Sequence, residues 1–350
     1  MDYFEYRNGS LHCEGVAVCD IAGAVGTPAY VYSAGTLREH YGRMAEAFAG
    51  LKPTVCFAIK ALGNLHVLRL LAEMGAGFDV VSGGEVARAR AAGADMSKVV
   101  FAGVGKTDAE IREAIAAGVG LFSVESEQEF ENLSRIAGEA GAQVRAALRI
   151  NPDVYDPKTH RYTTTGKKET KFGVDIDRAS AFFADHGRDD NVRLDGIAMH
   201  IGSPIYSADP YVQAIEKALG LIDRLGAAGD EIRLLDIGGG YAADYVAGAS
   251  PMAADYAGQI VPLLRGRGLE VILEPGRAVA CNAGILVTRA LYTKQGGGKR
   301  FVIVDAAMTD MLRPALYDAE HFIYPSELPE GAAAPERRPD YATPDGQTVD

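Results

Sequence analysis

Positive charge is scarce in this chain: 35 Lys and Arg stand against 47 Asp and Glu, a formal net charge of −12. A surface of that sign repels phosphate backbones and anionic headgroups, which excludes nucleic acid and acidic membranes as partners. Cysteine is sparse too. Cys13, Cys19, Cys56 and Cys281 form no CxxC pair and no metal-ligand spacing, so neither a disulfide scaffold nor a metal site is expected. Cys56 lies inside an apolar run, where a cysteine is a small buried hydrophobe. No hydrophobic run approaches a membrane span, and Met1-Asp-Tyr-Phe-Glu-Tyr-Arg7 lacks the apolar stretch of an export signal. The chain is therefore read as cytoplasmic.

What is present is alternation. Short β-branched runs at 54–59, 76–81, 98–102, 119–124, 144–150, 194–200, 233–237 and 270–274 are separated by Ala-rich amphipathic stretches. Apolar residues in those stretches recur at helical spacing, as in Ile111, Ala114 and Ile115. The strands are nearly continuous apolar runs, as expected of a parallel sheet covered on both faces. Eight βα units over ~250 residues predict a TIM (β/α)8 barrel; a doubly wound open sheet, with fewer strands, is the competitor.

The ends differ. Residues 1–30 read as strands, with a hairpin turning at Asn8-Gly9. Ile285–Thr293 and Arg300–Asp305 read as strands joined through Gly296-Gly-Gly298. The expected organisation is a barrel over 31–284 and a second, all-β domain, incomplete, from residues 1–30 and 285–350. From Glu327 onward the chain reads as a loop or linker. The long connection Asn151–Lys171 is either a solvated loop or a lid over the strand ends.

Polar clusters fall where the strands end, the face that binds ligands in either architecture. Lys60 closes the apolar run Thr54-Val-Cys-Phe-Ala-Ile-Lys60. Further along come Asp79-Val-Val-Ser-Gly-Gly-Glu85, His200-Ile-Gly-Ser203, Gly238-Gly-Gly240 and Glu274-Pro-Gly-Arg277. A desolvated lysine has a depressed pKa and becomes nucleophilic. Three glycines offer backbone N–H groups to a phosphate with no side chain in the way, or simply make a tight turn. His200 is either packed or free to stack on an aromatic ring. A lysine, anion-binding glycines, a histidine and a buried carboxylate together suggest pyridoxal 5'-phosphate. A carboxylate such as Glu274 against the pyridine nitrogen keeps the ring an electron sink, which suits decarboxylation rather than racemisation.

These runs, with Lys171-Phe-Gly173 and Arg313-Pro-Ala-Leu-Tyr317, resemble in this order the fold-type III pyridoxal-phosphate decarboxylases, and among them the diaminopimelate decarboxylases. The resemblance covers nearly the whole chain. It implies that Lys60 carries the cofactor, that His200 stacks on its ring and that Glu274 pairs with the ring nitrogen. It implies phosphate binding by Ser203, Gly240 and Gly276, and places Asp79 and Arg277 in the cofactor site as well. Arg277, Arg313 and Tyr317 would hold the distal amino-acid end of meso-diaminopimelate, where a guanidinium fork suits a carboxylate. A homodimer is implied. The competing readings are a decarboxylase of ornithine, arginine or carboxynorspermidine, and a non-catalytic cofactor-binding relative.

Two departures are local: Pro204 follows His-Ile-Gly-Ser where glutamine is common, and Tyr241-Ala242 follows the glycines where Leu-Gly is common. A third is larger. The family's Cys-Glu-Ser-Gly-Asp-type and Ala-Gly-Ala-Tyr-type segments, which serve the partner subunit's site and the phosphate, are not found in the 350 residues. The expectation is weak cofactor binding and little turnover by the chain as given.

Overall fold

The computed structural model describes residues 3–156, 170–245, 250–319 and 321–335. Two compact units are present: Leu37–Ala243 with Pro251–Ala280, and Met1–Thr36 with Asp244–Ser250 and Cys281–Asp350.

The larger unit is a closed barrel of eight parallel strands: β1 (Thr54–Ala58), β2 (Gly77–Val80), β3 (Val99–Phe101), β4 (Leu121–Val124), β5 (Val144–Asn151), β6 (Val192–Ala198), β7 (Leu234–Asp236) and β8 (Glu270–Leu273). Each pairs with the next, and β8 returns to β1 through Leu273 and Val55, so no edge remains. Every apolar run singled out in the sequence is a barrel strand, and the open-sheet alternative falls.

Polar caps start the intervening helices in short loops. The Asn64 side chain accepts the N–H groups of His66 and Val67, Ser82 that of Glu85, and Ser126 that of Glu129. Thr107 and Glu110 form a reciprocal capping box. Ala34–Ala47 and Ile176–His186 are helices that the sequence reading did not single out.

The barrel interior is layered by the two-residue period of the strands. A lower layer of Cys56, Val100, Leu121, Ala147, Ala198, Leu234 and Ile272 is buried and apolar. β2 contributes Gly77 there, because a Cβ would lie 2.3 Å from the Lys98 carbonyl oxygen and 2.7 Å from Cys56 Sγ. Two residues further along, the strands or the residues just after them place Ala58, Asp79, Ala102, Ser123, Arg149, His200, Asp236 and Glu274. The barrel is apolar below and polar at its mouth.

The smaller unit begins with an antiparallel hairpin, Phe4–Arg7 with Ser10–Cys13, turning at Asn8 (φ 50°) and Gly9 (φ 81°) as expected. Residues 1–30 are not all strand, however. Val18–Val25 is a helix, whose apolar residues Val18, Ile21, Ala22 and Val25 recur at helical rather than alternating spacing. Ala29–Tyr32 pairs with Gly284–Val287, and Ala290–Gly296 pairs with Lys299–Val304 across the glycine turn. Most of the proposed lid falls at 157–169, outside the described residues. Among the described residues no helix is long and apolar enough to cross a membrane.

Candidate active site

At the barrel mouth the Lys60 ammonium is ion-paired with Asp79 Oδ2. β1 ends at Ala58, and Ile59–Ala61 turns as a short 3-10 helix that lifts Lys60 to the rim, its side chain half-exposed. Asp79 is buried, and its Oδ1 has no hydrogen-bond partner. Desolvation lowers the Lys60 pKa, but Asp79 and Glu274 outweigh it and the net shift is upward. The expectation of a depressed lysine is therefore corrected. The strand's apolar side chains point into the core, whereas the ammonium faces carboxylates from neighbouring strands.

Glu274 and Asp236 form a buried carboxyl pair at the end of β7 and just beyond β8. Burial, then Asp236 and Asp79, push Glu274 well up; burial pushes Asp236 up to about 7. Asp236 Oδ1 also accepts the Gly238 N–H at 2.8 Å. His200 is pushed well below its ordinary value by burial, then by Arg149 and Lys60. Its Nδ1 lies 3.2 Å from the Gly202 nitrogen, and the lowered value leaves the ring neutral.

Arg149 is held by Glu125 at 2.9 Å and lies over the Phe172 ring at 4.9 Å. Glu125 also accepts the N–H groups of Gly103 and Gly173, each at 3.0 Å. The Lys171-Phe-Gly173 run thus orients Arg149, and its glycine (φ 69°) lets the chain pass the Arg149 carbonyl.

The glycine run also serves a close main-chain crossing. Absent side chains leave room mainly for neighbouring backbone. A Cβ on Gly238, Gly239 or Gly240 would lie 2.4, 2.1 or 2.1 Å from the carbonyl oxygens of Met199, Glu274 and Gly202 respectively. The loops after β6, β7 and β8 are packed main chain on main chain, with Glu274 N–H bonded to the Gly238 carbonyl and Ile205 N–H to that of Gly240. No hydrogen bond among the described residues takes up the Gly239 or Gly240 N–H. Arg277 Nε donates to Ser203 Oγ at 3.1 Å, and Gly276 sits against Ala58 and Ala61, so the β8 loop also meets that of β1.

Lys60, Asp79, His200, Ser203, Gly240, Glu274, Gly276 and Arg277 therefore all lie in the barrel unit, around one mouth. Arg313 and Tyr317 lie in the other unit, on the helix Arg313–Tyr317. Pro314 opens that helical turn, since its missing N–H is not needed in the first turn. Arg313 lies over the Tyr245 ring at 5.9 Å and beside His321. The sequence reading missed Ser123, Arg149 and Asp236, which line the mouth with His200 and Glu274. Counting two residues on from each apolar interior position would have found all three.

The donors fit pyridoxal phosphate. There is a lysine within reach of buried acids, a neutral imidazole for a ring face, and hydroxyl, guanidinium and backbone N–H groups for an anion. The orphaned Asp79 oxygen and the raised Glu274 mark an excess of acid that a protonated ring nitrogen would relieve. Residues 34–281 match the family described as pyridoxal-dependent decarboxylase, pyridoxal binding domain. The diaminopimelate decarboxylase of Pseudomonas aeruginosa is 49% identical over 319 residues, covering 91% of this chain and 77% of that protein. This chain belongs to the diaminopimelate decarboxylase family. The M. jannaschii diaminopimelate decarboxylase, solved with L-lysine, superposes with a TM-score of 0.86 at 34% identity, covering 94% of this chain and 79% of that one. The Helicobacter pylori enzyme, also with L-lysine, gives 0.83 at 38% identity, covering 87% and 76%.

Proposed function

We propose that this chain is a carboxy-lyase that uses pyridoxal phosphate to convert meso-2,6-diaminopimelate to L-lysine and carbon dioxide. The observation that carries the reading is the buried Glu274–Asp236 pair at the floor of a mouth whose rim holds Lys60. Bound there, pyridoxal phosphate supplies the sink for the electron pair left when carbon dioxide departs.

Lys60 is the residue that would hold the cofactor through its side-chain amine. Glu274, sharing its field with Asp236, would pair with the ring nitrogen and favour a proton there. The neutral His200 ring would cover one face of the cofactor without adding charge. Ser203, Arg277, Gly276 and the glycine loop hold the phosphate, with Asp79 orienting Lys60. Arg277, Arg313 and Tyr317 hold the distal amino-acid end, and the barrel is the cofactor-binding domain. A two-fold assembly is part of the proposal, for sedimentation to test.

The deciding experiment supplies the purified chain and pyridoxal phosphate with meso-diaminopimelate, ornithine or arginine, and measures carbon dioxide and amine product. Cofactor-dependent L-lysine from diaminopimelate alone, at the low rate expected of the chain as given, is the expected result. Preference for ornithine or arginine, or cofactor binding with no turnover of any substrate, would overturn it.

A further inference from the structure

Three tyrosines lie behind the glycine loop, and the chemistry proposed above uses none of them. Tyr211, Tyr241 and Tyr256 are almost fully buried. Their rings pack as a triad, Tyr211 stacked on Tyr241 at 5.1 Å and Tyr256 edge-on to both at 5.8 and 5.2 Å. Core packing alone would be served by phenylalanine. Two of the hydroxyls instead take specific main-chain partners. Tyr211 Oη donates to the Gly239 carbonyl at 2.7 Å. Tyr256 Oη donates to the Ile205 carbonyl at 2.5 Å and accepts the Ala242 N–H at 3.3 Å.

Those partners occupy the two loops that carry His200, Ser203 and Gly240. In a planar trans peptide the carbonyl and the following N–H point in opposite directions. Fixing the Gly239 carbonyl on Tyr211 therefore turns the Gly240 N–H away from the tyrosines, as an anion donor requires. Glycine at φ 100° has little intrinsic preference for that orientation, so it must be imposed from outside. Tyr256 ties the loop after β6 to the loop after β7 and sets their spacing, which the Ile205 N–H to Gly240 carbonyl bond at 2.9 Å reinforces.

We propose that Tyr211 and Tyr256 are positioning residues for the cofactor's phosphate: their hydroxyls preorganise the Gly239–Gly240 backbone as its anion donor. The inference rests on the cofactor-site reading given above.

The test compares pyridoxal phosphate with pyridoxal, which lacks the phosphate. Equilibrium binding of each is followed by the visible absorbance of the lysine-bound ligand, with the melting temperature recorded in parallel. Tyr211→Phe and Tyr256→Phe keep the rings and remove one oxygen each. Each is expected to raise Kd for pyridoxal phosphate about three- to tenfold, the size of one hydrogen bond's effect, and to leave Kd for pyridoxal within about twofold. Equal weakening for both ligands would assign the hydroxyls a merely structural role; no weakening for either would also overturn the inference. An unaltered chain with no preference for pyridoxal phosphate over pyridoxal would overturn the cofactor-site reading itself, a separate result. Either variant decides the matter alone, so loss of folding in one leaves the other.

Discussion

Two lysines near the strand ends illustrate how burial and partners assign opposite roles to one residue type. Lys106 is buried, bonded to the Gly103 and Ser123 carbonyls at 2.8 Å each and to Glu129 at 2.6 Å, so every ammonium proton is taken. Lys60 stands at the rim with one carboxylate partner and can exchange it. Borohydride reduction of the cofactor-loaded chain should fix the label on the peptide containing Lys60. Lys106→Met should leave that labelling in place but lower stability by about 3 kcal/mol, because it strands Glu129 as a buried charge. Replacing Glu274 with Gln should slow decarboxylation on the order of 10²–10³ with the cofactor still bound; unchanged turnover would refute its role as the nitrogen's partner. Asp236 gives the pH test. Its folded pKa of about 7 lies above the ordinary carboxylate value, so the native state holds a proton that the unfolded state has released. Stability from this source is present below pH ~4 and lost as pH rises through about 7. The melting temperature of the cofactor-free parent, relative to Asp236→Asn, should fall across that window.

At the scale of elements, the mouth is made by where strands stop. β6, β7 and β8 end in loops so close that glycine is the only residue whose backbone admits the neighbour. Gly239→Ala would set a Cβ 2.1 Å from the Glu274 carbonyl oxygen, which no rotamer can relieve. Calorimetry should show a loss of about 1–3 kcal/mol, the usual cost of overpacking. Cofactor titration should show weaker binding, because the β7 and β8 loops must separate. The glycine run was visible in the sequence, but the main-chain crossing that demands it was not: an anion cradle and a main-chain crossing use the same residue. The Lys171-Phe-Gly173 run was likewise visible as a motif. Its task of seating Arg149 against Glu125 emerges only when two distant loops meet.

For the molecule as a whole, closure of eight strands brings residues 79, 149, 200, 236 and 274 around one opening, although nearly two hundred positions separate the first from the last. The smaller unit carries Arg313 and Tyr317, and their proposed role is testable without reference to fold. Arg313→Ala should raise KM for diaminopimelate roughly ten- to a hundredfold, as loss of a charge-assisted contact of roughly 1.5–3 kcal/mol requires, with the cofactor's absorbance unchanged. Loss of that absorbance would instead assign Arg313 to the phosphate or to the fold.

The sequence alone determined the strands, the alternation and hence the barrel, because a strand buried on both faces must be an unbroken apolar run and a helix must repeat its apolar face. It also marked Lys60, His200, Glu274 and the glycine runs, since polar and glycine residues ending such strands have no place in a core. The tertiary structure decided the charge states and the company each residue keeps. Lys60 is raised rather than depressed, Asp236 is drawn into the site, and Arg149 is held beside His200. These depend on distances across the barrel, and a field falls off through space, not along the chain.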